Sequence, residues 1–306
     1  MPQRMTTLAV PTSSADANAD GPAASASGAE RIVTVIEPRR GWIGVDWGEL
    51  WRYRELLYFL VWRDLKVKYK MAILGMAWAV FVPIVSMLVY GGVGATLNLD
   101  EAVTAPYFLW MYAGLLPWLF IQRNLSDGGM ALVNQQPLLT KIYLPRVFLP
   151  AASCGSGLVD LGINFILFAL LGVGFAVFTD WTPTWHIVFA LPLLAITVML
   201  ALGISLTFSA LTVLYRDLRF LVPFAVQFGL WLSAVPYPLS DERFDGIRAW
   251  YAINPVTGIV AAWRSVLVGA EMHWLHFGTS VVGAVALLLF GLFYFKRVER
   301  RFADIA

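Results

Sequence analysis

The sequence predicts an all-α membrane protein with six transmembrane helices, an N-terminal amphipathic interface helix, and short re-entrant outer helices between spans five and six. Three observations support this prediction. Hydrophobic residues make up 59% of the 306-residue chain and charged residues only 14%, which lies outside the range of soluble globular proteins. Six stretches approach the length of about 20 apolar residues that a transmembrane helix needs. Lys and Arg are concentrated in alternate connections between those stretches.

The composition divides the chain into four parts. Residues 1–30 are rich in Ala, Ser, Gly and Asp and contain no apolar stretch. They cannot bury enough apolar surface to fold and are expected to form a disordered tail. Residues 31–72 are expected to form a cytoplasmic segment that includes the interface helix. Residues 73–295 would form the six-span transmembrane domain, and residues 296–306 a cytoplasmic C-terminal tail.

A basic and aromatic stretch directly precedes the first apolar span. It contains Arg63, Lys66, Lys68, Tyr69 and Lys70. Lys and Arg are attracted to the anionic inner surface of a membrane, and aromatic rings with polar tips favour the headgroup level. The stretch is therefore expected to lie on the inner membrane surface and to start the first span from that side.

The six candidate spans are Ile73–Leu97, Pro106–Leu125, Ala151–Phe178, Ile187–Leu211, Phe220–Pro238 and Phe277–Phe295. The second and fifth are the weakest, because each contains a proline, Pro117 or Pro223, and has a shorter apolar part. Short or interrupted helices of this kind often line a pathway rather than face lipid. A kinked helix with a purely structural role is the alternative, and the sequence leaves both open.

The distribution of positive charge predicts the orientation of the spans. The segments before span one, between spans two and three, between spans four and five, and after span six hold 19 Lys and Arg residues when Arg123, at the end of span two, is counted with them. The remaining connections together hold 3. Because an excess of Lys and Arg marks the cytoplasmic side of a membrane protein, both termini are expected to be cytoplasmic.

The segment 239–276, on the predicted outer side, is too long for a plain loop. Asn254-Pro255 interrupts it, and the residues that follow are mostly apolar. An apolar stretch of about 10–14 residues is more often re-entrant or interfacial than spanning. The segment is expected to contain one or two short helices that dip into the outer leaflet. A small folded external cap is the alternative.

Signatures of catalysis are absent from the sequence. It contains neither a G-x-S-x-G nucleophile turn nor a G-x-x-x-x-G-K-[ST] phosphate loop, so the chain is not expected to hydrolyse ATP itself. His273 and His276 have a spacing that could hold a metal, but packing at the membrane interface is the favoured interpretation. No catalytic residue, metal or cofactor is therefore assigned to this chain.

Asp160 is the clear ionisable residue inside a predicted span. An unpaired carboxylate at the centre of a transmembrane helix costs about 3 kcal/mol on insertion scales. Asn164 lies one turn further on, so Asp160 either takes part in a polar contact between helices or lies in a substrate pathway. A single carboxylate gives little support to a transport cycle coupled to protons or sodium.

Aromatic residues cluster in the first two spans. Their rings can bind sugars through C–H contacts and hydrogen bonds without a strict geometric code, and the alternative is the ordinary aromatic belt at the membrane interface. Together with Asp160, the candidate pathway residues are Trp78, Phe81, Tyr90, Tyr112 and Trp118.

Five short motifs occur in order along the chain. They are Arg63–Lys70 followed by Leu74-Gly75 and Trp78, then Gly114–Trp118, Leu139–Arg146, Tyr215–Arg219 and Asn254-Pro255. Together they resemble the motifs of ABC-2 type polysaccharide-exporter permeases, the transmembrane subunits of O-antigen and teichoic-acid transporters. The resemblance covers residues 50–306. The sequence departs from it at Met71-Ala72, where a polar pair is common in the family.

The resemblance implies a homodimer bound to two copies of a separate ABC ATPase subunit, which would hold ATP and Mg. It also implies the bacterial inner membrane and a polysaccharide carried on undecaprenyl pyrophosphate or a related lipid. The basic stretch would then either bind the pyrophosphate by charge-assisted hydrogen bonds or anchor the chain to membrane lipids. The implied ATPase-coupling residues are Leu138, Leu139, Lys141, Ile142, Tyr143 and Arg146, and the implied outer-gate residues are Asn254, Pro255, Trp263 and Arg264.

Three other functions stay open on the sequence alone. An ABC-2 permease for a small molecule or lipid would have the same spans and the same separate ATPase. An ion-coupled transporter acting alone would depend on Asp160. A membrane enzyme acting on a lipid carrier would need paired carboxylates at the inner membrane face, which the sequence does not offer. No nucleic-acid partner is expected.

Overall fold

The computed structural model describes residues 47–70, 77–99, 103, 106–139, 144–179, 181–182, 185–215, 217–239, 246 and 250–299. The predicted tail at residues 1–30 and the last residues of the predicted C-terminal tail, 300–306, lie outside the described residues. So do residues 31–46 of the predicted cytoplasmic segment.

The described part of the chain is helical throughout and contains no strand, which confirms the all-α prediction. The helices are α1 Trp47–Arg52, α2 Arg54–Lys70, α3 Ala77–Thr96, α4 Tyr107–Arg123, α5 Ala131–Asn134, α6 Gln136–Leu139, α7 Phe148–Phe178, α8 Ala190–Leu214, α9 Leu218–Leu232, α10 Pro255–Val268 and α11 Trp274–Glu299. A π-helical turn at Asn124–Gly128 continues α4, and a 3₁₀ turn at Trp185–Phe189 leads into α8.

Four stretches of helix are long and apolar enough to cross a membrane by length and composition. They are Ala77–Thr96, Phe148–Phe178, Trp185–Leu214 and Trp274–Glu299, and they coincide with the first, third, fourth and sixth predicted spans. The second and fifth predicted spans coincide with α4 and α9, which have 17 and 15 residues. The chain is therefore a multi-pass membrane protein in which two of the predicted spans are short.

Helix α4 is short because other helices, rather than lipid, surround it. Thirteen of its 17 residues are buried, and it packs against α3, α7 and α10. A helix that is apolar on all sides belongs in the interior of a bundle. Its length therefore need not match the hydrocarbon thickness, which accounts for the weak span signal around Pro117.

Helix α7 is the longest described helix, with 31 residues. At about 1.5 Å per residue it spans about 46 Å, more than the hydrocarbon core of about 30 Å. Its first turns, with Phe148 and Leu149, are buried in a second apolar cluster that also contains Leu60 of α2. One end of α7 can therefore extend out of the hydrocarbon, and Asp160 does not have to lie at the bilayer centre.

Helices α8 and α11 pack closely along a seam of small residues. A Cβ atom added at Gly203 would lie 2.6 Å from the backbone nitrogen of Leu288 and 2.7 Å from the carbonyl carbon of Leu287. Gly291 lies on the facing helix, where an added Cβ would be 2.7 Å from the oxygen of Gly203. Small residues allow this approach, which is how helices associate without a hydrophobic driving force in lipid.

The glycines of the first span divide into two groups. Added Cβ atoms would collide with Phe108 at Gly91 and with Tyr107 at Gly94, which fits close helix packing. At Gly92, and at Gly174 of α7, an added Cβ would meet no atom of the described residues within 4 Å.

We expect Gly203→Ala to destabilise the protein by about 1–3 kcal/mol, the usual cost of overpacking. The obstructing atoms belong to the backbone of α11 and cannot turn aside as a side chain would. Gly174→Ala is the matched control, and we expect it to be neutral or stabilising because Ala is the better helix former. Thermal unfolding of both purified variants in detergent measures the difference. Equal midpoints would show that the seam is not tightly packed.

Candidate functional site

Helix α2 lies on the surface of the bundle and is attached to α7. Among its described residues Leu60 is the buried one, and it lies in the apolar cluster that includes the start of α7. An added Cβ at Gly155 of α7 would lie 2.7 Å from a methyl group of Val61. This packing places the basic C-terminal half of α2 beside the middle of α7.

Asp160 is the centre of an ionic cluster that joins three helices. Its carboxylate accepts a hydrogen bond from Lys68 Nζ at 2.6 Å and another from the Tyr69 hydroxyl, both on α2. It also forms an ion pair with Arg123 at the end of α4. The side chains of Arg123 and Asp160 are only 13% and 14% exposed. Asp160 therefore has partners on two neighbouring helices rather than being an isolated carboxylate.

Arg123 brings a second carboxylate into the cluster. Its Nε donates to Asp127 at 3.2 Å, one turn further on, and a terminal nitrogen donates to Ser156 of α7 at 3.1 Å. We call Lys68, Tyr69, Arg123, Asp127 and Asp160 the Asp160 cluster. Its formal charges cancel, with two cations and two carboxylates. Two carboxylates thus flank one guanidinium, an arrangement that the sequence analysis did not anticipate.

Asn164 extends the polar contacts from the cluster into the bundle. Its Nδ2 donates to the backbone oxygen of Asp160 at 2.7 Å, and its Oδ1 accepts from the buried hydroxyl of Tyr112 at 2.9 Å. Tyr112 stacks on Phe168 with ring centroids 6.2 Å apart. Asn164 therefore makes a second, more deeply buried polar contact between α4 and α7, while the carboxylate of Asp160 binds the basic residues.

Burial changes the proton affinity of the two α2 residues. It lowers the pKa of Lys68 to about 8; the positive charge of Arg123 contributes in the same direction, and Asp127 opposes it. Burial also raises the pKa of Tyr69. The charge of Lys68 is therefore easily lost above neutral pH and depends on the carboxylates around it.

A cavity of about 360 Å³ adjoins the Asp160 cluster. Lys68, Arg123 and Asp160 line its polar part, and Trp78, Val82 and Pro83 of α3 line an apolar wall. Trp78 is 47% exposed, so this wall continues onto the outer surface of the helix. The cavity can hold a polar or anionic group against the cluster while an apolar chain passes along α3.

The predicted pathway residues do not all lie at this cavity. Trp78 and Asp160 line it, whereas Phe81 is exposed beside Trp78 with ring centroids 5.6 Å apart. Tyr90 is half-buried and lies 6.3 Å from the ring of Trp231. Trp118 is buried, and its ring would lie 2.6 Å from a Cβ added at Gly229.

Arg123 and Asp127 are site residues that the sequence analysis did not single out. Arg123 is the one charged residue in the second predicted span, and Asp127 follows it at helical spacing. The signal available in the sequence was an isolated charge at the end of an apolar helix. Arg123 entered the sequence analysis only as one of the positive charges that predict the orientation of the spans.

The predicted interface residues differ in their surroundings. Arg63 pairs with Asp64 at 2.8 Å and donates to Gln135 Oε1 at 2.6 Å, which links α2 to the start of α6. Lys66 and Lys70 are exposed. Lys68 and Tyr69 belong to the Asp160 cluster. Arg63, Lys68 and Tyr69 therefore contact the bundle, although the Lys68 side chain is itself 41% exposed, whereas Lys66 and Lys70 lie on the exposed side.

The predicted coupling segment forms the two short helices α5 and α6. Leu138 and Leu139 are half-buried against the apolar cluster of the chain itself. Lys141, Ile142 and Tyr143 lie outside the described residues. Arg146 Nη1 donates to the backbone oxygen of Glu299 at 2.9 Å, so the end of this segment is bonded to the C-terminal end of α11.

The helix predicted after Asn254-Pro255 is present as α10. Asn254 caps it, because its Oδ1 accepts from the amide of Val256 at 3.0 Å, and Pro255 occupies the first turn. Such a residue pair is favoured at a helix start. Asn254 Nδ2 also donates to the oxygen of Leu232 at 2.9 Å. The start of α10 is therefore tied to the end of α9.

Arg264 holds the middle of α10 to the chain that follows α9. Its guanidinium donates to the oxygens of Ala234 at 3.0 Å and Val235 at 2.5 Å, and it lies 3.5 Å over the ring of Trp110. Ala234 has a positive φ of 53°, a conformation that costs a non-glycine residue about 1–2 kcal/mol. Arg264 thus stabilises a strained turn.

Trp263 adds a contact between α10 and α8, since its Nε1 donates to Thr197 Oγ1 at 3.0 Å. His273 and His276 have ring centroids 5.7 Å apart in an edge-to-face arrangement. No cluster of three or more His, Cys, Asp or Glu side chains suited to a metal occurs among the described residues. The rings of the two histidines thus contact each other directly.

The described helices, with four of transmembrane length, an ionic cluster at a cavity and a short helix anchored between longer ones, define a multi-pass helical membrane protein. The profile of the ABC-2 type transporter family matches residues 55–268, and the chain belongs to that family. It is 30% identical over 221 residues to the O-antigen export system permease protein RfbA of Myxococcus xanthus, covering 71% of this chain and 82% of that protein. Two proteins of the same name from Klebsiella pneumoniae are 25% and 24% identical over 255 residues, covering 82% of this chain and 95% of theirs.

Proposed function

We propose that the chain is the transmembrane permease subunit of an ATP-driven exporter that moves an O-antigen-like, lipid-linked polysaccharide across the bacterial inner membrane. The observation that carries this proposal is the similarity, over most of the chain, to proteins named O-antigen export permeases. The cavity beside the Asp160 cluster supports it, because a polar end next to an apolar wall suits a phosphate-bearing lipid carrier.

In this proposal the exporter is a homodimer bound to two copies of a separate ATPase that holds ATP and Mg. Each subunit has six spans, with α4 and α9 as the two short ones. Residues 1–30 are a tail, 31–72 a cytoplasmic segment, 73–295 the transmembrane domain, and 296–306 a cytoplasmic tail. The alternation of basic connections supports cytoplasmic termini. The lack of a phosphate loop in the sequence supports a separate ATPase.

The basic stretch on α2 would meet the lipid carrier at the inner surface. Exposed Lys66 and Lys70 attract anionic headgroups, and the cavity then receives the pyrophosphate. There the phosphate oxygens replace Asp160 as partners of Lys68 and Arg123, since charge-assisted hydrogen bonds to phosphate are strong. Trp78 and the adjoining face of α3 would contact the apolar carrier.

A conformational change in the ATPase would be transmitted to the outer gate through contacts between helices. The segment of α5 and α6 is the proposed docking site, and Arg146 bonds it to the end of α11. Helix α11 packs against α10 at Gly258, where an added Cβ would collide with the backbone of His276. Asn254, Pro255, Trp263 and Arg264 hold α10 closed. A shift of α11 would therefore displace the gate helix.

Removal of the Arg146 contact tests this route. We expect Arg146→Ala to lower export about tenfold to a hundredfold, since a hydrogen bond to a charged group contributes about 1.5–3 kcal/mol and about 1.4 kcal/mol is a factor of ten in rate, while the ATPase partner stays bound and active. Arg297→Ala on exposed α11 surface is the control and should export normally. Export and ATP hydrolysis are measured on the same membranes. Parallel loss of both activities would contradict a role in transmission.

An ion-coupled transporter acting alone receives less support from the geometry. Asp160 contacts Lys68, Tyr69 and Arg123, whereas a proton or sodium carrier needs a carboxylate that is open to exchange. An enzyme is likewise disfavoured, because both carboxylates of the cluster are paired with Arg123. An ABC-2 permease that exports a small molecule would have the same helix contacts. The experiment that follows distinguishes it from a polysaccharide exporter.

Deletion of the gene, with surface glycan and lipid-linked intermediate both measured, tests the proposed function. We expect loss of surface polymer together with accumulation of the lipid-linked chain inside the cell, and restoration of both by the intact gene. Purification of the permease should recover an ATPase subunit, and the permease alone should not hydrolyse ATP. Unchanged surface glycan would instead favour export of a small molecule.

A further inference from the structure

The side chain of Arg63 on α2 reaches the segment of α5 and α6, the proposed docking site of the ATPase. A terminal guanidinium nitrogen donates to Gln135 Oε1 at 2.6 Å, although the two residues lie 72 positions apart in the sequence. Asp64 binds the same guanidinium, because its Oδ1 accepts from Arg63 Nε at 3.2 Å and from a terminal nitrogen at 2.8 Å. The side chains of Arg63 and Asp64 are 30% and 20% exposed. The guanidinium is therefore held between α2 and the docking segment, largely shielded from water.

Gln135 lies between α5 and α6, and its backbone is bonded to both. Its amide donates to the oxygen of Ala131 at 3.1 Å, which closes α5. Its own oxygen accepts from the amide of Leu138 in α6 at 3.0 Å. A displacement of either short helix would therefore move Gln135 and, through Oε1, the guanidinium of Arg63.

Helix α2 leads from this contact to the Asp160 cluster. Lys68 and Tyr69 follow Arg63 by five and six residues, which is about 7.5 and 9 Å along a helix. Both side chains donate to the carboxylate of Asp160. Leu60, one turn before Arg63, is buried in an apolar cluster that also includes residues of α5. Because the backbone hydrogen bonds of a helix make it stiff over so short a length, Lys68 and Tyr69 move with Arg63.

We propose that α2 connects the ATPase-docking segment to the cavity at the Asp160 cluster, with Gln135 and Arg63 as positioning residues; this inference rests on the proposed function. Lys68 lines that cavity, so the nucleotide state of the ATPase changes the affinity of the cavity for a pyrophosphate. Since coupling between two binding sites is reciprocal, a bound pyrophosphate changes the affinity for nucleotide by the same factor. The connection is separate from the contact of Arg146 with the end of α11.

Binding of farnesyl pyrophosphate to the purified complex of permease and ATPase tests the connection. This short polyprenyl pyrophosphate carries the headgroup of the proposed carrier. Its dissociation constant is measured with and without a non-hydrolysable ATP analogue, and we expect the two values to differ at least about fivefold in the intact complex. Gln135→Ala and Arg63→Gln should bring the ratio of the two values close to one, while the ATPase subunit still copurifies and the probe still binds.

Three further variants separate positioning from a general loss of structure. Gln135→Glu keeps an oxygen that accepts from Arg63 and should keep the ratio. Arg54→Gln is the matched control for Arg63→Gln, because Arg54 is exposed on the same helix and lies 4.7 Å over the ring of Trp51; it should also keep the ratio. The double variant of Arg63→Gln and Gln135→Ala should lose no more than either single variant, since all three remove the same contact.

Several results would overturn the connection. They are a ratio near one in the intact complex, no saturable binding of the probe, a ratio kept by both Gln135→Ala and Arg63→Gln, or an equal loss in Arg54→Gln. Additive losses in the double variant would show that the two residues act independently and would also overturn it. The proposed function fails by a different result, a surface glycan that deletion of the gene leaves unchanged.

Discussion

Arg264→Gln is expected to abolish export and to lower the yield of folded protein sharply. The guanidinium makes two hydrogen bonds to backbone oxygens and lies over Trp110. A shorter neutral amide cannot reproduce both hydrogen bonds or the cation–π contact. Each hydrogen bond to a charged group contributes about 1.5–3 kcal/mol, and a desolvated cation–π contact about 2 kcal/mol. The combined loss is a large part of the stability of about 5–15 kcal/mol that a protein has.

The structural reason for this sensitivity is the turn at Ala234. Its positive φ is unfavourable, and Arg264 donates to the oxygens of Ala234 and Val235. Without Arg264 those buried oxygens lose their bonds, and the end of α9 separates from α10. Helix α10, the proposed gate, then loses an anchor that the cap at Asn254 alone does not replace.

Arg219→Gln is the matched control for this substitution. Arg219 is exposed and lies 4.7 Å over the ring of Phe220, so its replacement removes only a surface contact. We expect normal yield and export. Arg264→Lys keeps the charge but not the two-pronged geometry and should fall between the two. Size-exclusion profiles, thermal midpoints and surface glycan are measured for all three. A stable, exporting Arg264→Gln protein would show that the contact does not hold the gate helix.

Asp160→Asn is expected to reduce export at least tenfold while leaving part of the protein folded. The substitution leaves Lys68 and Arg123 without the carboxylate they share. Breaking a buried ion pair by removal of one partner typically costs about 3–5 kcal/mol, and the partial exposure of Lys68 reduces that cost here. Helix α2 then loses the polar contact that positions it beside the cavity.

The variant should also acquire a pH dependence of definite sign. Burial already lowers the pKa of Lys68 to about 8 in the intact protein, and loss of a neighbouring carboxylate lowers it further. Lys68 therefore loses its positive charge at a lower pH in the variant. Residual export should fall as the pH rises from about 7 to 8, where the intact protein still keeps part of the charge.

Asp127→Asn provides the control within the same cluster. Asp127 is 59% exposed and pairs with Arg123 at helical spacing, an interaction of about 0.3–0.5 kcal/mol, so export should remain close to normal. Asp160→Asn combined with Lys68→Gln restores charge balance and should recover stability but not export. Transport assays with and without proton and sodium gradients accompany these variants. Export that follows either gradient would support ion coupling instead of the proposed mechanism.

Local patterns in the sequence predicted much of the fold. Asn254-Pro255 followed by an apolar stretch predicted a short helix, and α10 begins there. Four predicted spans are helices of transmembrane length. The span signal was weak for α4 because that helix is enclosed by other helices. A hydropathy pattern measures suitability for lipid, whereas α4 is stabilised by protein contacts.

The candidate site was predicted only in part. The sequence analysis named Asp160 as a pathway residue and named Lys68 and Tyr69 as interface residues, without connecting them. Lys68 and Tyr69 lie 92 and 91 residues from Asp160 along the chain, and no spacing rule connects positions so far apart. Arg264 was assigned to the gate from its location, but its binding to Ala234 and Val235 depends on how α10 lies against the end of α9.

The sequence by itself determined the class of protein, the positions of its helices and its family. These follow from composition, from hydropathy over short windows and from ordered motifs, all of which depend on neighbouring residues. Only the tertiary structure decided that Asp160 pairs with Lys68 and Arg123, and that Arg264 bonds the end of α9. Those contacts form when packed small residues bring helices together, as Gly203 and Gly291 do for α8 and α11. The pairing of distant residues is set by the geometry of that packing, which a linear pattern does not contain.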